Sequence, residues 1–143
     1  MPPLRDDDRI ADDSFLLPAL LPKWSIVKGG RERPTSDSLL DSNFENSCFI
    51  EEELSIAEVQ LLFPGLKLAR LPVSVVRREG FALERRPEEA PVGCLKPEAH
   101  VVIGPLLALE RGDYERCARH IVKDPTVQVI HPVDPDVPAL PDA

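Results

Sequence analysis

No apolar run in this sequence approaches the roughly 18 residues that a membrane-spanning helix requires. The first residues are acidic, where a secretory leader needs a basic start and an apolar stretch. A soluble, cytoplasmic protein is expected. Cysteine is sparse: Cys48, Cys94 and Cys117 are odd in number and have no CxxC spacing, a pattern that fits reduced, buried thiols. Histidine is equally sparse, and His100, His120 and His131 are scattered without the paired spacing of a zinc site, so no metal and no cofactor is expected. Positive charge is also short, with 17 Lys and Arg against 25 Asp and Glu and a formal net charge of −8. A broad nucleic-acid-binding face, which needs clustered cations, is not expected.

Proline is abundant. Sixteen prolines against seven glycines in 143 residues place many prolines in turns, tails and linkers. The length suits one domain with a single core, and 43% apolar with 29% charged residues is a globular composition. The acidity is concentrated at the ends, since residues 1–13 carry −3 and residues 131–143 another −3. The expected organisation is a flexible acidic N-terminus over 1–13, one domain over 14–130, and a proline-rich acidic tail over 131–143. In that tail Pro132, Pro135, Pro138 and Pro141 recur every third residue, as along one edge of a polyproline II helix.

The order of elements points to an α+β domain, with a mixed or antiparallel sheet of short strands and about three short helices. The segment from Ser14 to Pro22 is apolar but holds two prolines, so a short turn packing its leucines onto the domain is expected. Strands are expected at Trp24–Val27, Ser47–Glu53, Leu66–Leu71, Phe81–Glu84, Ala99–Ile103 and Val127–Ile130. Residues 31–46 read as a long loop with a helical turn near Asp37–Leu40. Ser55 and Glu58 form a capping box ahead of a helix whose apolar face is Ile56, Val59, Leu62 and Phe63. Further helices are expected at Val73–Glu79 and at Asp113–Lys123, the latter capped by Asp113 with a stripe of Tyr114, Cys117, Ala118, Ile121 and Val122. The triplet Glu51–Glu53 reads as a solvated strand end.

The most site-like constellation is Arg33 with Ser36 on the long loop, followed by Asp41, Ser42 and Ser47, with His100 in the strand richest in β-branched residues. A guanidinium and hydroxyls on a loop are convergent donors for a phosphate or carboxylate, and a histidine nearby could exchange a proton. The bland alternative has Arg33 paired to a local carboxylate, Ser36 capping a turn and His100 hydrogen-bonded in the core.

Trp24, Arg33-Pro34-x-Ser36, Asp41-Ser42, Ser47-x-x-Ile50, Leu68-Ala69-x-Leu71, Val76-Arg77-x-x-Gly80 and Ala99-His100-Val101-x-Ile103-Gly104 occur in an order that resembles a widespread group of small, uncharacterised bacterial proteins. The resemblance covers residues 24–104; it departs at Leu39, where an aromatic residue is expected, and at an insertion-like stretch over 43–46. It implies a shared fold and polar cluster, a setting among accessory genes including conflict systems, and no particular reaction. The leading expectation is a non-catalytic, protein-binding accessory or regulatory subunit. One alternative is a small enzyme or toxin-like domain acting on a nucleotide or phosphoester through Arg33, Ser36 or Ser47, and His100. Another is an immunity protein or antitoxin whose acidic ends cover a basic toxin.

Overall fold

The computed structural model describes residues 4–40 and 46–133, with only the backbone of Asn46. Asp41, Ser42 and the tail prolines Pro135, Pro138 and Pro141 lie outside the described residues.

The apolar segment that precedes Pro22 is not a turn but the middle of a sheet. Within it β1 (Phe15–Leu16) and β2 (Ala19–Leu20) pair antiparallel with β6 (Lys67–Pro72) in one unbroken register, from Phe15 opposite Pro72 to Leu20 opposite Lys67. They are halves of a single strand. Pro18 has no N–H to give a ladder, but its carbonyl still accepts from the Ala69 N–H at 2.9 Å. The opposite edge of β6 pairs with β9 (Gln128–Ile130). The other edge of the β1–β2 strand meets the end of β5 (Asn46–Phe49): Leu16 bridges Ile50, the Leu17 N–H donates to the Phe49 carbonyl, and the Glu51 N–H donates to the Phe15 carbonyl. β5 pairs with β8 (His100–Pro105), and β8 with β7 (Phe81–Arg85). The strands therefore run β9, β6, β1–β2, β5, β8, β7, antiparallel at every step, and the fold is α+β.

Side chains that alternate along these strands divide between two faces. Leu16, Ile50, Leu71, Val101 and Ile103 share one buried cluster with Tyr114, Ala118, Ile121 and Val122 of α3 (Arg111–Lys123) and with Val73 and Val76 of α2 (Val73–Arg78). Leu17, Phe49 and Leu68 share another with Val59 of α1 (Ile56–Leu62) and with Leu54 and Ala99. Each fully buried leucine contributes about 1.5–3 kcal/mol of apolar transfer. The capping box at α1 is formed, with Ser55 and Glu58 each bonding the other's backbone N–H. The cap expected at Asp113 is not: α3 begins two residues earlier, Gly112 lies within its first turn, and the Asp113 carboxylate accepts from Arg116 at 2.7 Å instead.

The long loop expected over 31–46 begins with a strand. β3 (Ser25–Lys28) and β4 (Arg31–Pro34) form a hairpin closed by Gly29 and Gly30, both at positive φ, +61° and +76°. A two-residue loop with two positive φ angles is the primed turn whose twist matches paired strands. A short helical turn follows at Ser36–Leu39, where one was expected.

The N-terminal residues 4–13, expected to be a flexible acidic end, are bound to the domain. Leu4 and Ile10 are buried. The exposed edge of β7 is closed by Asp6 and Asp7: the Leu83 N–H donates to the Asp6 carboxylate at 3.0 Å, and the Asp7 N–H donates to the Leu83 carbonyl at 2.7 Å. Arg77 donates to Asp6 and Asp12 and to the carbonyls of Asp7 and Ile10. Most of the acidic triplet is likewise engaged. Glu51 receives Arg70, whose guanidinium lies 3.5 Å from the Phe15 ring centroid, and Glu53 receives Arg85, which also donates to Asp7. Carboxylates at positions 6, 7, 12, 51 and 53 thus hold the fold together rather than merely solvating it.

Candidate functional site

Arg33 and Ser36 come together. The turn at Gly29–Gly30 places Ile26, Lys28, Arg31 and Arg33 on one face of the hairpin, because Ile26 opposes Arg33 and Lys28 opposes Arg31. That face meets the C-terminal end of α3, where the Arg31 guanidinium donates to the Asp124 carbonyl at 2.9 Å and to the Val127 carbonyl. Arg31 is thereby spent on docking the hairpin. Arg33 is not, and with Ile26, Lys28, Thr35, Ser36, Arg119, Val122 and Lys123 it lines a hollow of about 250 Å³. Arg119 and Lys123 reach it together because residues four apart share a helix face. Among the described residues, four cations and two hydroxyl side chains line the hollow, with no carboxylate.

His100 lies elsewhere. It opposes Phe49 in the β5–β8 ladder, its ring 5.4 Å from the Phe49 ring in an edge-on contact, and it is 1% exposed. Its Nδ1 is 2.7 Å from the Arg86 carbonyl, an acceptor only, so Nδ1 carries the proton. Phe49 belongs to the cluster under α1, whereas the cationic hollow is built on α3. The sheet therefore stands between His100 and Arg33. Ser47 opposes Val102 on β5 and is exposed, and it is not part of the hollow.

The cysteines form no disulfide. Cys48 points into the cluster under α3, on the sheet face opposite His100, and burial pushes its thiol far above the range in which thiolate forms. Burial also raises the Cys117 thiol. The two remaining histidines face carboxylates, His120 with Glu79 and His131 with Glu32.

A second surface was not expected from the sequence. The leucines of the segment that begins at Phe15 pack onto the domain, as expected: Leu16, Leu17 and Leu20 are fully buried. Of the ten large apolar residues exposed among the described residues, four, Leu61, Val92, Leu95 and Val133, line hollows beside α1. Leu61 is 79% exposed, Leu95 74%, and Val92 completely so. Leu61 lines two hollows, one of about 310 Å³ shared with Leu54, Leu62, Val92 and Leu95, and one of about 850 Å³ shared with Ala57, Pro64, Pro132 and Val133. The sequence did carry a signal for this surface: Leu61 falls outside the stripe formed by Ile56, Val59, Leu62 and Phe63 and so has no core to enter.

No protein-family model, curated protein or solved structure matches the chain.

Proposed function

We propose that this protein is a non-catalytic, protein-binding accessory or regulatory subunit, and that the apolar surface around α1 is where its partner docks. The observation that carries this reading is Leu61, a large apolar residue 79% exposed between two adjoining hollows. Clustered exposed apolar side chains of this kind are what interaction sites present. The partner is a protein with an apolar segment flanked by basic residues. Its apolar part matches Leu61, Val92 and Leu95, and its basic flank matches Glu58 at the rim and the net charge of −8. Separation of Arg33 from His100 by the sheet weighs for binding over the alternative of phosphoester chemistry shared between them. Internal pairing of Asp6, Asp7 and Asp12 weighs against an antitoxin that uses its acidic N-terminal end as the contact.

The test is affinity capture from the native host with the wild type and with the Leu61→Asp/Leu95→Asp variant, after unchanged melting of the variant has been verified. A stoichiometric partner held by the wild type at moderate salt and lost by the variant is the expected result. A partner that both forms retain would overturn the assignment, as would a wild-type homodimer that the variant converts to a monomer.

A further inference from the structure

We propose that the hollow between the β3–β4 hairpin and α3 binds a compact diphosphate-bearing anion. Lys28, Arg33, Arg119 and Lys123 converge on it from two elements, and none of the four is ion-paired among the described residues. Elsewhere in the chain Arg70, Arg77, Arg78 and Arg85 all hold carboxylates. Four like charges around one concavity repel one another, and an anion between them removes that repulsion. Thr35, which lines the same hollow, buries its Oγ1 without any hydrogen-bond partner, the one such buried side-chain atom among the described residues. Buried hydroxyls are normally satisfied; this one is sealed from solvent within the wall of the hollow, so its missing partner is a cost to the unliganded fold rather than a contact open to a ligand.

The chemistry selects the ligand class. A single phosphoester carries about −1.5 to −2 at neutral pH, so two phosphoryl groups are needed to balance most of the charge of four cations. The volume of about 250 Å³ suits a small anion, and Ile26 and Val122 give it an apolar margin. A polynucleotide is disfavoured, because the net charge of −8 repels a long phosphate chain beyond the hollow itself.

The test is calorimetric titration of the full chain at low ionic strength with inorganic pyrophosphate and with ADP, comparing the wild type with Arg33→Ala, Arg119→Ala, Thr35→Val and the control Lys96→Ala, which lies outside the hollow. Saturable one-to-one binding is expected with at least one probe, weakened roughly tenfold or more by loss of either guanidinium and unchanged in the control. Thr35→Val is expected to raise the melting temperature of the unliganded protein and to leave anion binding unchanged, since the hydroxyl it removes is closed to the hollow. Absence of saturable binding by both probes, or binding that survives the loss of Arg33 and of Arg119, would overturn the proposal.

Discussion

Single residues here divide by whether their polar groups are already engaged. His100 is buried, bonded to the Arg86 carbonyl and packed on Phe49, whereas Arg33 lines an open hollow with no ion-pair partner among the described residues. His100→Ala leaves a cavity and an orphaned carbonyl and is expected to cost about 2–4 kcal/mol. Arg33→Ala is expected to stay within about 0.5 kcal/mol. Urea unfolding of the two variants checks the contrast, and equal destabilisation would refute it. The sequence offered both residues as candidates because a histidine in a β-branched strand and an arginine in a polar stretch each read as chemistry. Spacing along a chain does not say on which side of a sheet a side chain falls. Arg119 and Lys123 were missed for the converse reason: each is unremarkable alone, and only the hairpin brings β4 against the helix.

At the scale of elements, the strongest local patterns were legible. The Ser55–Glu58 capping box, the α3 stripe and the strand at His100–Pro105 follow from capping chemistry, helical spacing and β-branched content. What escaped was structure made by long-range pairing. The β4 strand has charged residues at three of its four positions, so only the Gly29–Gly30 loop announced it. Residues 4–13 are likewise ordered by partners some 70 positions away, which no local pattern encodes. Their attachment has a pH signature. The Arg9 side chain, opposed by burial but joined by the Arg9 N–H and by Arg85, lowers the Asp7 carboxyl to about 2. Because this value lies below the ordinary aspartate value, the stabilisation is complete above that ordinary value and is lost as pH falls through about 2. Acid titration is expected to break in this window the Asp7 contacts with Arg9, inside the segment, and with Arg85 on β7. Asp7→Asn is expected to loosen residues 4–13 already at neutral pH, with limited proteolysis as the readout. Cleavage in this segment that is equal for the two forms at neutral pH would show that Asp7 does not hold it.

At the scale of the whole molecule, the sheet has one candidate surface on each side, the apolar one over α1 and the cationic one against α3. They share no lining residue, so substitutions at the two are expected to combine additively. The strand that links the two halves of the sheet also precedes both of its neighbours in the chain. Residues 15–20 lie between partners at 49–51 and 67–72, and β9 joins last from beyond residue 127. During synthesis this strand leaves the ribosome long before either neighbour exists, and it must wait as an unpaired leucine-rich segment. Such an arrangement sets a slow folding clock, on the millisecond-to-second scale of proteins with distant pairings. Once closed, its central amides are the last to open. The Leu17 N–H is expected to exchange with deuterium only on global unfolding, and exchange there as fast as at the hairpin of Ile26 and Arg33 would place the hinge of the fold in its middle.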